Sequence, residues 1–600
     1  MKKILTLVFF FLFSSFVYAQ YIPVSRYLLN PDLTIGYMDS CAGFWLQTWD
    51  EQNEGFYTNI DRYGNVLGSW GYNKNMMTQS RNAYGLTRAY MMTGDTTYLH
   101  LAEKALSWMY NHAWDPSFGG WMNELGNDGK PLNRYADKTA FYQHYAMLGI
   151  AAYYEATRDT VAWNWLIKSR QHLEDFFWDN RNSLEGYYDL TRYNGRNATD
   201  KSFNATVDAL TTHLIYMYLM TQDDNYKSRL LELAEEIKIH LVASMPQQAI
   251  GFVEKYDSDW NWKTNETMTI MGHVLKAGWC LARIYQLFPE QSLKEAAETL
   301  IHDVWENAYD HEFGGPYKDY NRITGDMLMW GNPDTAKAWW QMEQAIVAGL
   351  QLYDISHEDI YLQMADETID FYMRHFVDHV YGEVYSDRTR YGAIAWNEAK
   401  ASGGKAGYHS IETGYYMYLY GNLFYKYNPV TLHYKMMQEN RDREFRLTPL
   451  AIRNANLTIS RVTLNSNDYN NYDANSKVLY VPAGTHGHFE VTFEPVMTNL
   501  ALLENSQKKD FQLFQNYPNP FNPSTTISYQ IDKPADVSLA IYNIRGQHIE
   551  TLIKSYQDCG IYNVEWDGKD DRQQSVPSGV YLYKLVIGSQ SKSRKMMLVK

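Results

Sequence analysis

A chain of 600 residues with 45% apolar and 20% charged side chains has the make-up of a folded globular protein, which excludes wholesale disorder and collagen-like or low-complexity architecture. Fifty-four Lys and Arg against 69 Asp and Glu give a net charge of −15, and without a local basic patch such a chain is repelled by phosphate backbones, so no nucleic-acid partner is expected. Three cysteines, Cys41, Cys280 and Cys559, cannot form a disulfide framework and no two stand at metal-ligand spacing, so stability must come from packing.

Residues 1–19 combine Lys2-Lys3, the apolar run from Ile4 to Phe13 and Val17-Tyr18-Ala19 before Gln20, the pattern of a secretory signal peptide. No other stretch reaches the roughly 18 apolar residues a spanning helix needs, so the mature chain is expected to be soluble and exported.

Residues 20–430 carry an internal repeat. The glycines of Glu54-Gly55-Phe56, Gly119-Gly120-Trp121, Glu185-Gly186-Tyr187, Ile250-Gly251-Phe252, Gly314-Gly315-Pro316 and Tyr381-Gly382-Glu383 stand 65, 66, 65, 64 and 67 residues apart. After most of them come a polar stretch, a helical pattern, a short turn and a second helical pattern. In the second unit these are Tyr142 to Ala156, Arg158-Asp159, and the stripe Trp163, Leu166, Ile167, Leu173, Phe176 and Phe177. Six helix hairpins without polar capping units at either end predict a closed (α/α)6 toroid rather than an open solenoid. Closure brings one offset of every repeat to one mouth. Counted from the glycines, that offset holds Arg81, His144, His213, His273, Glu343 and His409. The 51 tyrosines supply core volume and flat amphipathic faces able to lie against sugar rings.

Residues 431–505 alternate as short strands, for example Val478-Leu479-Tyr480-Val481 and Phe489-Glu490-Val491-Thr492-Phe493, and predict a small β-domain and linker with no recognisable site. Residues 506–600 shift to Gln, Asn, Pro and Ser and then to strands such as Val537-Ser538-Leu539-Ala540-Ile541-Tyr542, the pattern of an immunoglobulin-like β-sandwich. The fold expected overall is mainly α, a toroid followed by small all-β domains.

Several histidines with an arginine fit a zinc site or proton transfer. Zinc usually recruits a close pair such as His-x-x-x-His on one helix, which none of these residues forms, so proton transfer without metal or cofactor is the better reading. Two histidines on opposite faces of a carbon made acidic by a neighbouring carbonyl can invert it, and a cation such as Arg81 would hold the enediolate.

Two resemblances extend this reading. Gln79-Ser80-Arg81-Asn82-Ala83-Tyr84, Asp115 to Gly120, Gly272-His273 with Trp279, Lys337-Ala338-Trp339-Trp340-Gln341 with Glu343, and Tyr408-His409 resemble the N-acylglucosamine 2-epimerase and cellobiose 2-epimerase superfamily over roughly residues 25 to 425. That resemblance implies an (α/α)6 barrel, no metal, a mono- or oligosaccharide substrate and enediolate chemistry at C1/C2 of an aldose, as epimerase or aldose-ketose isomerase. It makes His273 and His409 the acid/base pair, His213 a substrate-orienting or ring-opening histidine, Arg81 the oxyanion partner and Trp339 and Trp340 sugar platforms, with Glu343, Tyr84, Tyr408 and Lys276 about the substrate. One departure stands out: the family pattern is Gly-His-x-x-Glu, and here Lys276 takes the place of the carboxylate. A lysine three residues from His273 is expected to lower that histidine's pKa, and Glu266 or Glu412 is expected to substitute as its partner. At the other end, Tyr517-Pro518-Asn519-Pro520-Phe521-Asn522-Pro523, Trp566-Asp567-Gly568, Val576-Pro577-Ser578-Gly579-Val580-Tyr581 and the basic end Lys595 to Lys600 resemble the C-terminal sorting domain of type IX secretion substrates. This implies the type IX machinery as a partner, passage across the outer membrane of a Bacteroidota-like bacterium, and a secreted or cell-surface location.

Two rival functions share the toroid. A glycoside hydrolase or lyase would use paired carboxylates, with Asp137, Asp208, Glu343 and Glu412 as candidates, and a glycan-binding pseudoenzyme would accommodate Lys276.

Overall fold

A computed structural model describes residues 21–329, 331–449, 457–496 and 511–600, apart from 515, 517, 532, 533, 559 and 589. The expected signal peptide lies outside the described residues. Six inner helices form the barrel wall: Met76–Thr93, Ala140–Thr157, the run from Phe203 to Thr221, Met271–Leu287, Trp339–Ser356 and Gly407–Tyr420. They are buried almost throughout. Around them stand Thr96–His112, Thr160–Phe176, Asp224–Glu236, Gln291–Asn307, Asp359–His375 and Leu33–Leu46, each burying one stripe. On Thr160–Phe176 the stripe is narrower than the sequence pattern predicts: Leu166 and Leu173 are buried, while Ile167 and Phe176 face outward. Inner helices approach to backbone contact where glycine allows it. A Cβ on Gly85 would stand 2.3 Å from the Gly407 carbonyl oxygen, and one on Gly149 2.3 Å from that of Ser80.

The ring closes, but its sixth hairpin is split. The last inner helix, Gly407–Tyr420, packs on the first inner helix and on Leu33–Leu46 from the other end of the chain. The Tyr37 hydroxyl donates to the Ser410 carbonyl (2.7 Å) and Trp45 Nε1 to Glu383 Oε2 (2.9 Å) across this seam. Cys41 and Cys280 are buried free thiols in the packed wall.

The repeating glycines share one cause. All six have positive φ, from 64° to 132°, a region that L side chains rarely adopt. Beside five of the six loops sits a buried lysine. Lys74, Lys138, Lys201 and Lys337 stand two residues before an inner helix and reach Asp50 (2.9 Å), Asp115 (2.9 Å), Asp179 (2.9 Å) and Asp310 (3.1 Å). Each ammonium also donates to loop carbonyls, as Lys138 does to Gly119 (2.5 Å) and Tyr193 (2.9 Å). In the sixth repeat the pattern is doubled: Lys400 holds Asp378 (3.1 Å) and Lys405, two before the helix, holds Glu383 (2.9 Å). There Asp378 N–H donates to the Glu383 carbonyl (2.9 Å), as Asp50 does to Gly55 (3.0 Å), so Glu383 occupies the glycine's place, one residue beyond the sequence alignment on Gly382. Thr269 replaces the lysine in the fourth repeat, where Asp303 takes the Gly251 N–H (2.8 Å).

The next residue begins each helix. Asn75, Thr139 and Ser202 cap the first three inner helices by accepting from Thr78, Tyr142 and Ala205 N–H. The other three start at Ile270, Ala338 and Ala406 without a capping side chain of their own. Neighbouring helices serve two of them: Gln341 Oε1 accepts from Gly272 N–H (2.9 Å) and Asn82 Oδ1 from Gly407 N–H (2.8 Å).

Strands begin at Val430, where a four-stranded sheet holding Val430–Met436, Gly487–Pro495 and Leu457–Leu464 and a three-stranded sheet extend the barrel core. They cover the end of the barrel formed by the inner-helix C-termini: Tyr90 bonds His488 Nδ1 (3.0 Å), and Thr431 N–H donates to the Tyr418 hydroxyl (3.0 Å). From Phe511 a separate antiparallel sandwich of three and four strands packs around Ile527, Leu539, Ile541, Trp566 and Tyr583. No helix among the described residues is long and apolar enough to cross a membrane.

Breaking a buried ion pair on one side costs about 3–5 kcal/mol, because a charge is left without its partner. Lys138→Met is therefore expected to destabilise the barrel by about that amount in urea unfolding, and Lys138→Met with Asp115→Leu to recover most of it. The acid side has a sign as well. Burial would raise the Asp50 carboxyl, but Lys74 and the Asn53 and Gln52 N–H groups outweigh it and hold it at about 2, below its ordinary 3.8. Stability from that clamp is complete above the ordinary value and is lost as pH falls toward about 2. Asp50→Asn should flatten the acid limb of a melting-temperature profile.

Candidate active site

Counting from the first residue of each inner helix, rather than from the glycines, sorts the interior into layers. Two residues on stand Thr78, Tyr142, Ala205, His273, Gln341 and His409, and five residues on stand Arg81, Tyr145, Asp208, Lys276, Gln344 and Glu412. The first layer faces the mouth and the second forms its floor.

His273 and His409 are the two histidines of the upper layer, and each has a carboxylate on Nδ1. His273 Nδ1 meets Glu254 Oε2 (2.8 Å), whose Oε1 accepts from Ile270 N–H (2.7 Å). The ring stacks on Phe203 (4.0 Å between centroids). His409 Nδ1 meets Glu343 Oε2 (2.5 Å), which also accepts from Gln344 Nε2 (2.8 Å), and Trp279 Nε1 steadies that amide (2.7 Å). Trp340 neighbours both imidazoles, at 5.4 Å from His273 and 6.1 Å from His409. It is half-buried and presents the open aromatic face; Trp339 is buried at 6.2 Å from His409, more wall than platform. With Nδ1 committed to a carboxylate, Nε2 is the ring atom left for a substrate.

Arg81 lies on the floor with its guanidinium over Tyr145 (4.5 Å) and Tyr408 (5.8 Å) and one N–H donated to the Gly404 carbonyl. Its Nε has no hydrogen-bond partner among the described residues. Tyr408 packs directly on His409 (4.0 Å). Tyr84 is fully buried and donates to Glu412, so it supports the site from behind instead of touching a sugar.

Three expectations change. Lys276 does not face His273; it pairs with Asp208 (2.6 Å) and bonds the Tyr145 hydroxyl (3.3 Å), so the cation that replaces the expected glutamate brings its own carboxylate from the neighbouring helix. The partner of His273 is Glu254, not Glu266 or Glu412. His213 is placed away from the mouth: it stacks on His144 (5.6 Å) and bonds Thr212 Oγ1 (3.0 Å). Burial, with His144 and Arg170 nearby, pushes it well below its ordinary value. The physical reason is local. Phe203 follows Gly186 by 17 residues, whereas the other inner helices begin 20 or more residues after their glycines, so the glycine count carries His213 ten residues into its helix, past the layers of the mouth.

Glu343, His409 and Glu412 are the one set among the described residues whose side chains could reach a single metal ion, with ligand atoms within 4.8 Å of one another. The His409–Glu343 separation of 2.5 Å is hydrogen-bond length, whereas two ligands on one zinc at ~2.0–2.2 Å stand more than ~3 Å apart, so the set as arranged shares protons. Burial pushes Glu343 well up, with Glu412 adding to it, and pushes His409 well down, with Arg81, Lys276 and Lys405 adding to that. Both groups favour their neutral forms. For a glycosidase the carboxylates are badly placed: Asp208 is tied to Lys276, and Glu343 and Glu412 lie against each other behind His409.

Lys276→Glu would put two carboxylates together in the floor, and one would have to bind a proton. The variant is expected to lose melting temperature steadily from pH 5 to pH 8 relative to the parent chain, because a carboxyl whose folded-state pKa is raised weakens the fold as pH rises.

The comparisons agree with this geometry. The N-acylglucosamine 2-epimerase (GlcNAc 2-epimerase) family model matches residues 55–413, and a FlgD Ig-like domain model matches residues 520–591. The cellobiose 2-epimerase of Bacteroides fragilis is 23% identical over 379 residues, covering 61% of this chain and 93% of that protein. The structure of cellobiose 2-epimerase from Spirochaeta thermophila superposes with a TM-score of 0.59 at 21% identity, over 66% of this chain and 97% of that one. A D-mannose isomerase gives 0.58 at 19% identity, over 66% and 99%. With a toroid of this architecture and a family match across more than half its length, the chain belongs to the N-acylglucosamine 2-epimerase family of carbohydrate epimerases and isomerases.

Proposed function

We propose that the chain is an exported sugar epimerase acting at C2 of an aldose or of the reducing end of an oligosaccharide, through proton transfer by His273 and His409. One observation carries the reading: two histidines with Nδ1 fixed on carboxylates stand on either side of the half-exposed Trp340. A sugar lying on Trp340 in its open-chain form would have C2 between two basic Nε2 atoms. One takes the C2 proton, the carbonyl oxygen becomes an enediolate oxygen facing Arg81, and the other histidine returns a proton on the opposite face. Return to C1 instead gives a ketose, which is the isomerase outcome. The relatives named as cellobiose 2-epimerase and D-mannose isomerase bracket these two outcomes.

NMR of aldoses and disaccharides in D2O with the protein present tests it. Deuterium is expected to enter C2. His273→Ala and His409→Ala should each abolish that exchange, by at least the 10²–10⁴-fold that general acid–base groups contribute. His213→Leu should retain it. Loss in His213→Leu with retention in both other variants would reject the assignment.

Export rests on the signal-peptide pattern of residues 1–19 and on the resemblance of the C-terminal sandwich to type IX sorting domains. We read residues 506–600 as an address. Deleting 511–600 is expected to leave the barrel folded and held in the periplasm of a type IX-competent host; undiminished surface delivery would refute the reading.

A further inference from the structure

The floor of the site holds one carboxylate more than proton transfer by two histidines calls for. Glu412, one turn after His409, is buried in that floor. Its carboxylate accepts from the Tyr84 hydroxyl, which is 3.2 Å from the Tyr216 hydroxyl, and lies with Glu343 and His409 inside a 4.8 Å cluster. We propose that Glu412 is a positioning residue that shares a single proton with Glu343, so that His409 gives and takes protons at Nε2 while remaining neutral. The proposal rests on the epimerase reading above and assigns a part to a residue that reading does not use.

The surroundings of the two carboxyl groups support the single proton. Among the groups facing the cluster, Lys276 is matched by Asp208 (2.6 Å), Lys405 by Glu383 (2.9 Å) and Arg88, which lies over Tyr84 and Tyr216, by Glu155 (2.7 Å). Arg283 lies over Trp279 and Tyr416. Tyr84, Tyr216, Tyr408 and Tyr416 are neutral phenols held well above or above their ordinary range by burial. Among the described residues neither Arg81 nor Arg283 has a carboxylate partner: Arg81 donates to the Gly404 carbonyl and Arg283 to the Tyr420 hydroxyl (3.0 Å). Two ionised carboxylates with oxygens inside one buried 4.8 Å cluster repel each other, and one proton shared between Glu343 and Glu412 removes that repulsion while leaving one negative charge near Arg81.

The same arrangement solves a problem of the reaction. His409 is enclosed with Arg81, Lys276 and Lys405 near it, so an imidazolium there is costly. In the base direction the C2–H bond breaks, the proton goes to Nε2, and the Nδ1 proton passes to Glu343. The electron pair of the C2–H bond becomes the enediolate, whose negative charge sits by Arg81. The carboxyl pair goes from one proton to two and loses its charge. Every proton is accounted for, and the negative charge has moved from the carboxyl pair to the substrate. The acid direction is the reverse, with Glu343 returning its proton to Nδ1 as Nε2 releases one.

The test is the ¹⁵N spectrum of the histidine rings in the full chain from pH 4 to pH 8, with His409 identified by difference against His409→Asn, for the parent and Glu412→Gln. The amide of Glu412→Gln can still accept from Tyr84 but holds no transferable proton and no charge. Glu343 then ionises more readily and stabilises a charged His409. The parent His409 is expected to stay neutral to the lowest pH at which the chain is folded, and in Glu412→Gln it should become imidazolium at a pH at least one unit higher. The acid limb of C2 deuterium exchange should move upward by the same amount. Equal His409 titration in both proteins overturns the proposal, as does a parent His409 that charges near its ordinary value. Should Glu412→Gln fail to fold, Tyr84→Phe, which loosens Glu412 without removing it, should shift the His409 titration upward by less, and no shift there counts against the proposal. Absence of exchange in the parent protein with every sugar would instead reject the epimerase reading, and the ring spectra would still decide the proton-sharing.

Discussion

Every level of this molecule leans on one interaction, the burial of a lysine ammonium against a carboxylate at the start of an inner helix. A lysine two residues before the helix ties the preceding glycine loop to the wall in the first, second, third, fifth and sixth repeats. Such pairs seldom contribute much net stability, since desolvation consumes most of the attraction, but breaking one is expensive. Their effect is on geometry. They fix where each inner helix begins, and a side chain two or five residues into the helix then points to a defined height in the barrel. The cost is legible in the ammonium groups: burial pushes Lys337 and Lys400 down to about 8.

The site uses the same device with the functional residues substituted in. Its floor alternates Arg81, Tyr145, Asp208, Lys276, Gln344 and Glu412, so cations and carboxylates neutralise one another around the ring. Above it stand the two histidines on the helices that lack a capping side chain of their own. Where the first three repeats spend their opening residues on capping, the later ones spend them on His273, Trp340 and His409. The departure at Lys276 is therefore a change in which helix carries which charge, and the Asp208–Lys276 pair keeps the floor neutral.

Much of this was readable before the fold was seen. The evenly spaced glycines marked the toroid because each takes a positive φ that L side chains rarely adopt. His273, His409, Arg81 and Trp340 were legible because their neighbouring motifs are specific. Failures have a common origin in using the glycine as a ruler. Between glycine and helix the loops differ in length, which carries His213 too far into its helix, and Glu383 takes the glycine's place in the sixth repeat. The lysine before each helix is the better ruler, and Lys74-Asn75, Lys138-Thr139 and Lys201-Ser202 display it openly. What no ruler could give is the partner of His273. Glu254 comes from a loop of the same repeat 19 residues earlier, and its reach is a matter of three-dimensional packing.

The seam between the first and last helices has a temporal meaning. Leu33–Leu46 is among the earliest segments a ribosome would produce and Gly407–Tyr420 the latest of the barrel, yet they are neighbours. Until the final helix is present the first rests on Met76–Thr93 without its main inner partner, the circle has a gap, and the gap is where His409 and Glu412 belong. On the proposed assignment of His409, the acid–base pair is therefore completed only with the last helix of the wall. A chain that stops short of Gly407 carries His273 but neither His409 nor Glu412, and so holds half of the proposed pair.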